Sequence, residues 1–134
     1  MPIRVGAAAR SSLTVGTADT AISLESGDVP ALATPRVLAL MEKAAVQAIA
    51  LSLDSGQTTV GVSAELTHSA ATPIGGRVEA EARVTAVNGR QIDFMIKVTD
   101  QATGNEVAKG LHRRMVVDYA RFVRQLSPSG KDQP

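Results

Sequence analysis

The sequence predicts an α+β fold in which an antiparallel sheet of about five strands wraps one long central helix, and three features carry that prediction. A single stretch, residues 31–53, repeats apolar residues at helical spacing. Nearly everything after Gly56 alternates apolar and polar residues with the period of strands. The inward positions of those strands are rich in alanine, Ala80, Ala82 and Ala86 among them, so a helix has room to lie close.

Taken in chain order, residues 11–15 and 20–24 read as short strands, followed by a loop over residues 25–30. The helix opens at Thr34-Pro35, where a hydroxyl suits an N-cap and proline suits the first turn. Leu38, Met41, Ala45, Ala48, Ile49 and Ser52 form its apolar stripe, with Arg36, Lys43, Gln47 and Asp54 opposite. Asp54-Ser55-Gly56 ends it, because glycine accepts positive φ and short polar side chains bond local backbone.

Val60, Val62, Ala64 and Leu66 then alternate with Gly61, Ser63, Glu65 and Thr67, until Thr72-Pro73-Ile74-Gly75-Gly76 closes the strand. The next strand puts Val78, Ala80, Ala82, Val84 and Ala86 inward, and the one after it Ile92, Phe94, Ile96 and Val98. A two-residue loop at Asn88-Gly89 would pair Val84 with Asp93, setting apolar against charged side chains. A three-residue loop, with Gly89 in the left-handed region, pairs Val84 with Ile92, Ala82 with Phe94 and Ala80 with Ile96. That register also opposes Glu79 to Lys97 and Arg83 to Asp93. A turn at Thr103-Gly104-Asn105 leads into a last strand over residues 107–117. One domain spans residues 1–126, and residues 127–134 form a flexible polar tail.

Composition removes whole classes of function. Fourteen basic against 13 acidic residues leave a net charge of +1, too weak a field to hold nucleic acid by counterion release. Three aromatic side chains are too few for a base-stacking platform. The absence of cysteine removes disulfides, thiolate metal sites and a thiol nucleophile together. No stretch approaches the roughly 20 apolar residues of a membrane span, and the first residues lack a secretory apolar core. A cytoplasmic protein with no nucleic-acid or membrane partner is expected. The two histidines stand at no recognisable metal-ligand spacing, so no metal is expected.

Two polar residues point the wrong way for mere solubility. Glu42 falls about 120° around the helix from the Arg36–Lys43–Gln47 stripe, among Leu38, Ala45, Val46 and Ile49. A carboxylate placed there either pairs with a sheet arginine or serves as base or nucleophile. His68 shares the parity of Val60, Val62, Ala64 and Leu66, and so projects towards the helix side of the sheet, where it is either a satisfied structural residue or a catalyst. His112 reads as structural or as rim. Arg113, Arg114, Arg121, Arg124 and Lys131 read as a solvated basic face able to steer a phosphorylated ligand. Thr34, read as an N-cap, stands eight residues before Glu42, about 12 Å along a continuous helix. The two act together only if Thr34 sits in a loop that folds back or if they meet across a subunit boundary.

Several strings carry a family likeness: TPRVLALME from Thr34 to Glu42, TVG from Thr59 to Gly61, LTHSAATPIG from Leu66 to Gly75, VNGRQIDF from Val87 to Phe94, and GLHRR from Gly110 to Arg114. Over residues 11–124 they resemble the fluoroacetyl-CoA thioesterase family of hotdog-fold proteins. The resemblance implies a hotdog homodimer that hydrolyses acyl-CoA thioesters, with Thr34, Glu42 and His68 as catalytic residues. Gly61 is implied as the glycine that approaches the thioester carbonyl. No cofactor is implied beyond the CoA of the substrate.

The sequence departs from the fluoroacetyl-specific members in one respect: residues 25–33 contain no aromatic side chain where those members carry an aromatic lid. Val29 and Leu32 are expected to wall the acyl group there, and Arg114 to contact the ligand. An aliphatic wall of this kind selects by acyl size. The alternative class is a non-catalytic acyl-CoA-binding protein on the same scaffold.

Overall fold

The computed structural model describes residues 2–127, so the expectation for the tail lies, beyond Ser127, outside the described residues. Five strands, β1 (Ala8–Thr14), β2 (Gln57–His68), β3 (Arg77–Asn88), β4 (Gln91–Asp100) and β5 (Glu106–Asp118), form one antiparallel sheet in the order β1-β3-β4-β5-β2. The long helix α1 (Thr34–Ile49) lies on its inner face, chiefly over β1 and β3, and a short helix α2 (Tyr119–Arg124) ends the described chain. No helix of the described residues is long and apolar enough to cross a membrane.

The helix buries Val37, Leu40, Met41, Ala44, Ala45 and Ile49, whereas Leu38 and Ala48 are only half-buried. The expected stripe is therefore rotated: Met41, Ala45 and Ile49 belong to both faces, and packing over β1 and β3 adds Val37, Leu40 and Ala44. Alanines 80 and 82 of β3 are fully buried beneath it, which is what close helix-on-sheet approach requires. The helix also begins later than residue 31 and tightens into a 3₁₀ turn at Ala50–Ser52.

The β3–β4 hairpin corrects the expected register by two residues. Val84 faces Phe94, Ala82 faces Ile96 and Ala80 faces Val98. The loop has two residues, Gly89 and Arg90, because Asn88 pairs with Gln91, and Gly89 (φ +62°) takes the positive φ of a II′ turn. A bulge between Val84 and Ala86 absorbs the odd residue and restores apolar parity. Glu79 consequently opposes Thr99 and Arg83 opposes Met95, while Asp93 pairs with Arg113 on β5 at 2.8 Å.

A second bulge, between Gly61 and Ser63, overturns the uniform parity expected of β2. Before it Thr59 and Gly61 pair with Val116 and Arg114; after it Ala64, Leu66 and His68 pair with His112, Gly110 and Ala108. Since even-numbered β5 residues face inward, Gly61 and His68 both reach the helix side although their parity differs. Val62 is left half exposed.

Residues 20–24 are not a strand. The Thr20 hydroxyl donates to the Thr17 carbonyl at 2.8 Å and the Ser23 hydroxyl does the same, and such local bonds draw the backbone into turns. The segment is tied down through Ala21 N–H to Ala31 O, Ala33 N–H to Asp19 O and Leu32 N–H to Thr72 O, all 2.9 Å. Asp19 anchors it further, accepting the Gly16 N–H at 2.8 Å and Arg36 Nε at 2.8 Å.

The Gly16 N–H foremost, with Arg36 adding to it against the opposing effect of burial, holds the Asp19 carboxyl below its ordinary value of 3.8. A depressed folded pKa means stabilisation that is fully present above 3.8 and is lost as pH falls through the folded value. Asp19→Asn is expected to cost about 1–2 kcal/mol at neutral pH. Thermal melts of wild type and variant should converge in acid; equal melting temperatures at pH 7 would show that the anchor carries no weight.

Candidate active site

Two polar groups form around α1. At its first turn the Thr34 hydroxyl lies 2.8 Å from Nδ1 of His68, at the end of β2. Ala33, not Thr34, is the N-cap, and no side chain caps the helix; Pro35 follows within the first turn. The threonine hydroxyl is thus committed to the histidine, which corrects the N-cap reading. Nε2 of His68 is buried and has no partner among the described residues.

Beside this pair opens a cavity of about 330 Å³, lined by Val29, Leu32, Ala33, Ala70 and Ala71 and by the polar residues Ser26, Asp28 and Ser69. Both residues expected to contact an acyl group, Val29 and Leu32, line it. Leu32 is a core residue, whereas Val29 is exposed.

Two turns further along the helix, Glu42 is half-buried and held through one oxygen. Arg114 Nη1 donates to Glu42 Oε2 at 3.1 Å, and Nε2 of His112 stands 3.8 Å from the same oxygen. Arg114 Nε donates to the Thr59 hydroxyl at 2.9 Å and Nη2 to the Thr59 carbonyl at 3.1 Å. A Cβ on Gly61 would come within 2.6 Å of Glu42 Oε2 and 3.3 Å of Arg114 Nη1, so only glycine leaves this carboxylate where it is.

Arg114 therefore does not belong to a solvated basic face. It is 7% exposed and turned inward, unlike Arg113 and Arg121. His112 is 4% exposed and stacks near Phe94, with ring centroids 6.0 Å apart. Burial foremost, together with the Arg114 charge, pushes its pKa below the ordinary histidine value against the Ser63 hydrogen bond and Glu42. Sequence reasoning missed His112 as a neighbour of the carboxylate and Thr59 as the anchor of Arg114. The signal existed for His112: positions 108, 110, 112, 114 and 116 share one strand face.

Thr34 and His68 are brought together, as are Glu42, Arg114 and Gly61, but the two groups remain separate within the chain. Thr34 and Glu42 lie on one uninterrupted helix, so the fold-back route between them is closed and about 12 Å of helix rise separates them.

An antiparallel sheet wrapped on one long helix, with a helix carboxylate set against a strand glycine and a histidine at the strand end, defines a hotdog thioesterase. Residues 15–120 match the family described as fluoroacetyl-CoA-specific thioesterase, and the chain belongs to that family. It is 36% identical over 101 residues to the fluoroacetyl-CoA thioesterase of Streptantibioticus cattleyicolor, covering 73% of this chain and 71% of that one. A solved fluoroacetyl-CoA thioesterase superposes with a TM-score of 0.85 at 31% identity, over 96% of this chain and 100% of the other. A thioesterase superfamily member from Thermus thermophilus gives 0.87 at 26% identity, over 98% and 96%. This membership makes the chain an acyl-CoA thioester hydrolase.

Proposed function

We propose that the chain acts as a homodimer on CoA thioesters of small to medium acyl groups, with Glu42, His68 and Thr34 working on one thioester carbonyl. The observation that carries this reading is the half-buried Glu42 carboxylate set against Gly61 with no side chain between. A carbonyl brought to Gly61 meets Glu42, and the backbone there can approach its oxygen as charge develops. The Glu42 carboxylate either attacks the carbonyl or takes a proton from the attacking water; the C–S bond then breaks and His68 protonates the CoA thiolate, and in the first route water next hydrolyses the acyl anhydride on Glu42 to release the free acid and restore the carboxylate. Thr34 positions the imidazole through Nδ1, leaving Nε2 to transfer the proton. The reaction needs no cofactor beyond the CoA of its substrate. A related fluoroacetyl-CoA thioesterase variant has been solved with acetyl-CoA, which supports a CoA thioester as substrate here.

The dimer follows from what one protomer leaves open. β2 is a 12-residue edge strand with Val62, Ser63, Ala64 and Glu65 exposed, and twofold pairing is the commonest remedy for such an edge. It also offers the remaining way to bring a Thr34–His68 pair to a Glu42. Light scattering at micromolar concentration should give twice the chain mass. Dimers mixed from Glu42→Gln and His68→Ala subunits should regain one working site; inactive mixed dimers would place all three residues' work within one subunit.

Selectivity should follow acyl size. The apolar side chains of the Thr34–His68 cavity, Val29 and Leu32 among small alanines, discriminate by about 1–3 kcal/mol per methylene, and no phenylalanine, tyrosine or tryptophan stands among the lining residues, which also include Ser26, Asp28 and Ser69. The comparison is kcat/KM for acetyl-, fluoroacetyl-, butyryl- and phenylacetyl-CoA. A fluoroacetyl over acetyl preference above roughly 10⁴ would refute an aliphatic size filter.

A further inference from the structure

We propose that His112 is a positioning residue for hydrolysis: as the neutral Nδ1–H tautomer, it fixes the Arg114 guanidinium that holds the Glu42 carboxylate at Gly61. The inference rests on the reading of Glu42 as the reacting carboxylate.

The tautomer is set by its two neighbours. Nδ1 lies 2.8 Å from the Ser63 carbonyl, which only accepts, so Nδ1 carries a hydrogen. Nε2 lies 3.2 Å from Arg114 Nη1, which only donates, so Nε2 presents its lone pair. A second proton on the ring would point an N–H at a guanidinium inside a buried site, and burial already disfavours the charged ring. The charged groups facing the ring are Arg114 from its own strand and Glu42 from α1; Phe94 of β4 and Ser63 of β2 supply the neutral walls.

Arg114 spends its donors accordingly. Nε and Nη2 are fastened to Thr59, and the two hydrogens of Nη1 divide between His112 Nε2 and Glu42 Oε2. Thr59 fixes one side of the guanidinium plane and His112 the other, leaving a single direction for the hydrogen that reaches Glu42. Without the imidazole acceptor, Nη1 keeps its charge but loses one of the two bonds that aim it. The bulge between Gly61 and Ser63 belongs to the same device, since it turns Gly61 to the carboxylate just where Ser63 O receives Nδ1–H.

The test separates the two ring nitrogens. His112→Asn keeps a donor near Ser63 O and lacks the acceptor for Arg114; His112→Gln places an amide oxygen where Nε2 stood. Asparagine should lower kcat by about 10-fold or more with KM little changed, as Arg114 loses one of the two bonds that aim it at Glu42. Glutamine should recover most of that loss. Equal kcat in folded His112→Asn, a loss carried in KM instead of kcat, or Gln no better than Asn, would overturn the proposal and leave a merely structural histidine. If neither variant folds, ¹⁵N–¹H correlation of the wild-type imidazoles decides: the neutral Nδ1–H form through the active pH range is expected, and an Nε2–H or doubly protonated ring overturns it. Glu42→Gln in the same assay isolates the underlying reading, because retained turnover there would remove Glu42 from the chemistry whatever His112 does.

Discussion

Glu42→Gln and His68→Ala are each expected to lower acyl-CoA hydrolysis by at least about 100-fold, the scale of a positioned proton-transfer group. Folding should survive both changes. Glutamine still offers Arg114 Nη1 an acceptor in place of Oε2, and the Glu42 side chain is 41% exposed, so little packing is lost. His68 is half-buried at a strand end, where truncation frees the Thr34 hydroxyl without opening the core. The measurement is CoA release at saturating substrate, with thermal unfolding recorded on the same preparations. Turnover near the wild-type rate in either folded variant would remove the proposed mechanism.

Gly61→Ala should be nearly as damaging, for a steric reason. The new methyl carbon would sit 2.6 Å from Glu42 Oε2, 3.3 Å from Arg114 Nη1 and 3.4 Å from His112 Cε1. Two of these belong to buried, hydrogen-bonded side chains, so the carboxylate must yield. It can do so cheaply, being the end of a half-exposed side chain, and stability should change little. Catalysis should not be spared, because displacing a reacting group by about 1 Å costs on the order of 100-fold. Activity within about threefold of wild type would mean that the Glu42–Gly61 approach is dispensable.

The strongest periodic signals in the sequence were local ones, and they translated well. Apolar spacing marked α1, and alternation placed Val78, Ala80, Ala82 and Val84 against Ile92, Phe94, Ile96 and Val98 on one buried face. Glu42 stood out because a charge among Ala45, Val46 and Ile49 conflicts with the helical pattern, and it is half-buried as that conflict suggested. The hairpin register failed because the parity argument was sound but incomplete: a one-residue bulge restores parity as well as a longer loop does. Residues 20–24 failed because hydroxyl groups, invisible to an apolar pattern, took the backbone into turns.

By itself the sequence determined α1 and the strands β2 to β5, the inward faces of β3 and β4, and the oddity of Glu42 and His68, since each depends on the chain's own period of 2 or 3.6 residues. Tertiary structure alone decided which polar side chains meet. The β2 bulge reverses parity within one strand and so brings Gly61 as well as His68 to the helix side. The pairing of β2 with β5, across a separation of about 50 residues, sets Arg114 and His112 beside Thr59, Gly61 and Ser63, and α1 lays Glu42 upon them. Those contacts depend on register between distant strands, and register is fixed by bulges and packing that no local pattern encodes.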